Sequence, residues 1–205
     1  MATTSPINGL PVPDDQSPNS PPIHFQALVN VLDKRLVGSF SSVAARNSAI
    51  TSPTENLVCS VGGFVQVYRA GSWRGIAAQM YTTSTPDTTQ YLVSQPVLSL
   101  SIPDPGYPYK IVGQASLGIM VAPTVTVAMR VRVNGTDMQG VGPDFVNSGG
   151  ASVQTGISTS LGTSGSITGA ATVQGVVWKT GAAGGGYQAV AGSLYTQLTA
   201  IVAPA

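Results

Sequence analysis

Catalysis needs titratable or nucleophilic side chains brought together, and this chain is poor in them. Its 205 residues hold seven aspartates, one glutamate (Glu55), one histidine (His24) and one cysteine (Cys59). Asp14 and Asp15 lie among prolines, Asp87 among threonines, Asp104 between two prolines and Asp144 after Pro143. At such breakers an aspartate serves turns and solvation. A glycosidase needs two carboxyl groups facing one bond, and no spacing here selects a pair. His24 stands beside Phe25 with no partner in the surrounding sequence to make it a ligand or base, and it suits a capping or interfacial place. Cys59 sits in the apolar run "NLVCSV", where a thiol behaves as a small buried hydrophobe. No Gly-x-Ser-x-Gly elbow occurs. The glycine-rich stretches 162–169 and 184–186 lack the lysine and following helix of a phosphate-cradling loop. The residues imply no enzyme, no metal and no cofactor.

The side chains suited to binding by contact are aromatic. Tyr68, Trp73, Tyr107, Tyr109, Trp178 and Tyr187 are flat and amphipathic, the type that stacks on sugar faces. Tyr107 and Tyr109 flank Pro108 in an expected loop and are the candidates for facing a receptor. Trp73 and Trp178 are expected in core or subunit-interface packing.

Composition narrows the partners. Only 8% of residues are charged and the net charge is +1, against about 25% charged in ordinary domains. The nine Lys and Arg are scattered, with Lys34-Arg35 the one adjacent pair, so the basic footprint that a phosphate backbone requires is missing and no nucleic-acid partner is expected. No apolar run approaches the roughly 18 residues of a membrane helix, so no membrane insertion is expected. The mean hydropathy of +0.22 comes from dispersed small aliphatic residues. A surface so short of charge predicts association with copies of the same chain. One cysteine excludes an intrachain disulfide, and the first residues lack the pattern of an export signal, predicting a chain used without secretion.

The elements follow from periodicity. Residues 1–22 are proline-rich with few large apolar side chains and form an arm. Over 23–40, Phe25, Leu28, Leu32 and Leu36 fall at helical spacing, with Pro22 suited to the first turn and Gly38 to the end. This stripe is the expected anchor and oligomer interface. Residues 41–81 form a small β-hairpin module turning at Gly62-Gly63, with Tyr68 and Trp73 in its core. A polar run over 82–90 serves as a hinge. From 91 to 205 the period changes to two, in β-branched runs punctuated by proline and glycine, with Asn134-Gly135 the strongest hairpin signal. The fold class is mainly β: a short helix and hairpin module, then an antiparallel β-sandwich head.

One family carries this order of features. The helix ending "LDKRLVGSF", then "AARNSAITSPTENLV" and "VQVYRAGSWRGI", resembles the N-terminal region of minor tail and fibre proteins of tailed bacteriophages, particularly those infecting actinobacteria. Arg46, Ala49, Ile50, Pro53, Thr54, Tyr68, Gly71 and Trp73 match its pattern, over about the first 77 residues. One departure is Asn56, where the pattern often has glycine. The head is similar in architecture to trimeric jelly rolls of the tumour necrosis factor and complement globular-head type. The resemblance implies a non-enzymatic virion structural protein that forms a homotrimer. Residues 1–40 would fasten it to other virion proteins, and the head would project toward a host cell-surface glycan. Arg46, Arg69 and Arg74 would be surface or interface cations. A capsid head fibre or decoration protein, a free lectin and a cell-wall glycan hydrolase are the alternatives.

Overall fold

Alternating apolar residues make most of this chain strand. The structure, a computed structural model, describes residues 3–4, 11–12, 38–138, 142, 144–181, 185–190 and 196–205. The stripe of Phe25, Leu28, Leu32 and Leu36 lies outside the described residues, as do His24, Asp14 and Asp15. The chain divides into two compact units, Met1–Arg74 and Gly75–Ala205.

In the first unit a short ladder joins β1 (Thr3–Thr4) to β2 (Pro11–Val12). A four-stranded sheet then runs in the order β3 (Gly38–Phe40), β4 (Val58–Val61), β5 (Phe64–Arg69) and β6 (Ser72–Gly75). Gly62 and Gly63 turn β4 into β5 at φ 55 and 89. Two consecutive left-handed residues match the twist of the flanking strands. Ala70 and Gly71 make a second such turn at φ 49 and 78, which the sequence does not announce because alanine rarely occupies this region. Gly38–Phe40, expected as the end of a helix, is instead strand, parallel to β4 with Gly38 opposite Cys59. Glycine is a poor helix interior residue, and here the backbone finds its partners on the edge of β4. Among the described residues a helix that was not expected, α1, spans Val43–Ala49. Ser42 caps it, its Oγ accepting from Ala45 N at 3.1 Å.

The second unit is an antiparallel β-sandwich, as the period-two pattern implied. Its strands are β7 (Gln79–Thr83), β8 (Gln90–Tyr91), β9 (Gln95–Ile102), β10 (Tyr109–Val121), β11 (Val125–Val133) and β12 (Thr136–Asp137). They continue with β13 (Phe145–Val146), β14 (Val153–Ser158), β15 (Gly162–Thr163), β16 (Ala171–Gly181), β17 (Tyr187–Ala189) and β18 (Gln197–Pro204). A seven-stranded sheet runs β7-β18-β10-β17-β8, with β14 and β15 also pairing β10. A five-stranded sheet runs β12-β11-β16-β9, with β13 also on β11.

Alternation assigns the faces. On β10, Tyr109, Ile111, Ala115, Leu117, Ile119 and Val121 are buried, and on β11 so are Val125, Val127, Met129, Val131 and Val133. Burying a side chain of this size is worth roughly 1.5–3 kcal/mol. The sheets approach closely where a side chain is missing. A Cβ at Gly113 of β10 would stand 3.1 Å from Val131 Cγ1, and one at Gly175 of β16 would stand 3.4 Å from Ala115 Cβ and 2.8 Å from Met129 Cε. The unit boundary falls at Arg74/Gly75 rather than after residue 81. Gln79–Thr83 pairs with β18 in the register Met80 with Ile201 and Thr82 with Thr199, so it is a strand of the head. The expected hinge, 82–90, likewise contributes Thr82, Thr83 and Gln90 to strands.

Candidate interaction surfaces

In the first unit the cluster around Trp73 gathers the aromatic and cationic residues of the opening hairpin. Tyr68 and Trp73 meet edge to face, their ring centroids 5.4 Å apart, and both are half-buried. They close the edge of a core whose deeper members are Cys59, Val61, Phe64 and Gln66. Arg46, expected as a surface or interface cation, is 3% exposed. Its guanidinium lies 4.8 Å from the Trp73 ring, an Nη donates to Gln66 Oε1, and Nε and the other Nη donate to Asn47 Oδ1 at 3.1 and 2.9 Å. A buried charge persists only when its donors are engaged, and helix α1 with strand β5 supplies that engagement. Arg69 and Arg74 are exposed, as expected. Asn56, the departure from the glycine pattern, stands at φ 64. Asparagine tolerates that region, so the substitution keeps the turn, and Arg69 Nε donates to its Oδ1 at 3.1 Å. Burial pushes the Cys59 thiol up, with the Arg46 charge working against it; the thiol belongs to the core.

In the head, Tyr107 and Tyr109 correct the expectation of a receptor-facing pair. They are 5% and 0% exposed. The turn before β10 folds inward, carrying Tyr107, while Tyr109 opens the strand: Gly106 adopts φ 77, and its N–H donates to Asp104 Oδ1 at 2.7 Å. Tyr107 lies against Gly75, where a Cβ would be 2.2 Å from its ring. Tyr109 OH donates to Gly169 O at 2.8 Å, and desolvation, with the charges of Asp104 and Tyr81, pushes its pKa up to about 12. Tyr187 is buried too, donating to Val93 O and accepting from Gln95 N, both at 3.1 Å.

The acids are dispersed. Asp87 accepts from Tyr91 OH and Thr89 N, which lowers its pKa. Glu55 accepts from Ala70 N. Among the described residues no three His, Cys, Asp or Glu gather as a metal site would require, and no helix is long and apolar enough to cross a membrane.

The outer faces of the two sheets differ in charge. On the seven-stranded sheet, strand register aligns Met80, Ile201 and Val112 in one row, Thr82, Thr199 and Gln114 in the next, and Gln90, Gln188 and Met120 in another. Among these rows and their described neighbours Ser116, Gln154, Ser158, Gln197 and Ala203, the one charged residue on the face is Lys110. Met80 is 66% exposed and Met120 42%. The five-stranded sheet instead carries Arg130, Arg132, Asp137 and Trp178. Arg132 Nε donates to Asp137 Oδ1 at 2.8 Å and Arg130 Nη to Oδ2 at 3.2 Å, while the Arg130 guanidinium lies 4.3 Å from the Trp178 ring. Burial works to raise the Asp137 carboxyl, but hydrogen bonds and charge from Arg132 and Arg130 outweigh it and lower the pKa. Beside Asp137 a cleft of about 400 Å³ opens between the β11–β12 hairpin and residues 163–167. The sequence did not single out this constellation, although its signal was present. A two-residue Asn134-Gly135 turn places Val133 opposite Thr136 and Arg132 opposite Asp137.

No family model matches the chain, and no curated protein matches it. Among solved structures it is similar to the EclA C-terminal domain, a sugar-binding protein, at 11% identity and TM-score 0.26, over 62% of this chain and 77% of that one. It is also similar to a structure of infectious bursal disease virus Gx strain, at 10% identity and TM-score 0.27, over 66% of this chain and 40% of that one. Likenesses at this level bear on neither family nor ligand.

Proposed function

We propose that the chain is a non-enzymatic virion structural protein of a tailed bacteriophage, a minor tail or fibre protein fastened by residues 1–40. Its β-sandwich head forms a homotrimer and projects toward the host surface. The observation that carries the reading is the outer face of the seven-stranded sheet, where Met80, Ile201 and Val112 line up on a surface with Lys110 as its one charge among the described residues. A neutral face rich in Met, Ile, Gln and Thr is suited to burial against copies of itself, since no charge must be desolvated. Upstream, the helical spacing of Phe25, Leu28, Leu32 and Leu36 in the sequence supports the same reading, since such an apolar stripe suits burial against the same stripe in other copies. The residues of the family resemblance also support the reading, because they act together as scaffold. Arg46 packs under Trp73, Trp73 meets Tyr68, Gly71 makes the turn between their strands, and Ile50 N donates to Arg46 O.

The test is mass and location. Light scattering on the purified chain should give three times 20.8 kDa, and Ile201→Asp in the middle of the neutral row should reduce it to one. A tag at residue 205, visualised on particles, should lie on the tail; a tag on the head shell would make the chain a capsid fibre or decoration protein. A wild-type monomer, or absence from particles, would overturn the proposal.

A further inference from the structure

We infer that the cleft between the β11–β12 hairpin and the Thr163–Ile167 loop is a binding site for a saccharide. A sugar presents hydroxyls around its rim and C–H bonds on its faces, so its site needs an apolar floor beside an oriented acceptor. Val133 and Met138, 5% and 6% exposed, and half-buried Ile167 supply the floor. Asn134, Thr136 and Asp137 supply polar groups on one wall. Each Asp137 oxygen takes one arginine donor, from Arg132 or Arg130. A carboxylate has about four lone-pair sites, so both oxygens can still accept a hydroxyl in charge-assisted bonds. The two arginines keep that carboxylate ionised and fixed without lining the cleft themselves. Asn134 Oδ1 accepts from Thr172 N at 2.8 Å, which fixes the sense of the amide and makes Nδ2 its remaining donor. The volume, about 400 Å³, falls within the roughly 300–1,000 Å³ of small-molecule sites.

Hydrogen bonding, not net charge, selects the ligand. Among the described lining residues Asp137 is the one ionised group, and the two arginines bonded to it give the trio a net charge of +1, so its carboxylate acts as an acceptor for hydroxyl donors rather than as a repelling charge. The inference rests, for its biological setting, on the host-attachment reading above.

The experiment is an amide-shift titration of the isotope-labelled full chain with D-glucose, D-galactose and D-mannose. At least one hexose should shift amides of residues 133–138 and 163–167. Asp137→Asn should weaken binding about tenfold, and Thr136→Val, which leaves both arginine pairs in place, about three- to tenfold. Silence of these amides at high millimolar sugar, shifts confined to other residues, or indifference to both substitutions would each overturn the site. A silent cleft in a trimeric, particle-borne protein would sink this inference alone. A sugar-binding monomer absent from particles would sink the virion proposal alone.

Discussion

Truncating Arg46 should open the first unit, and Cys59 reports the opening. Arg46 is 3% exposed and bonded to Gln66, which is itself 0% exposed, while its guanidinium stacks on Trp73. Arg46→Ala removes a charge-assisted hydrogen bond worth about 1.5–3 kcal/mol and a cation–π contact worth about 0.5–2 kcal/mol. Taking about 3 kcal/mol in all, the equilibrium for local opening rises by about a hundredfold. Cys59, the chain's one cysteine, lies opposite Gln66 in the β4–β5 register and is 0% exposed. A thiol reagent therefore labels it through opening, and the labelling rate of Arg46→Ala should exceed that of the unsubstituted chain by about the same hundredfold. Arg46→Lys keeps the charge but loses the planar fork, and its rate should fall between the two. A labelling rate for Arg46→Ala within threefold of the unsubstituted chain would refute the energetic reasoning.

Two further outcomes concern pH. Tyr109 and Tyr187 have raised pKa values, to about 12 for Tyr109. Their neutral forms therefore stabilise the head below the ordinary tyrosine value of about 10, and this contribution is lost as pH climbs toward 12. In an ultraviolet titration these two of the seven tyrosines should ionise last, together with loss of folded structure; simultaneous ionisation of all seven would contradict their burial. Asp137 has a lowered pKa, so the arginine pairing stabilises the head above about pH 4 and fades as pH falls through the folded value. Melting temperatures followed into acid should drop more steeply for the unsubstituted chain than for Asp137→Asn, and parallel curves would argue against the pairing.

Strands and tight turns were legible because their causes are local. The run "VTVAMRVRV" became β11 residue for residue, and Gly62-Gly63 and Asn134-Gly135 turned as their tolerance of positive φ demands. What stayed hidden depends on partners distant in sequence. Arg46 read as a surface or interface cation because Gln66 and Trp73, which make its burial within the unit tolerable, arrive only through the folded hairpin. Tyr107 and Tyr109 looked exposed beside Pro108, yet Gly75 leaves room for one ring and Gly169 O accepts from the other. The Asp137 cleft needed both the hairpin register and the loop at 163–167, and only the first could be derived from the residues.

The placement of β18 has a consequence for how the head is made. Residues 197–204 fill the lane between β7 and β10, pairing with both. During synthesis β7 and β10 emerge long before the strand that joins them, leaving two sticky edges waiting for one insert. A ribosome that stalls before β18 releases a product whose β7 cannot be zipped to β10. Such a fragment would keep both edges open to proteases and to aggregation, so the head closes only once β18 is in place.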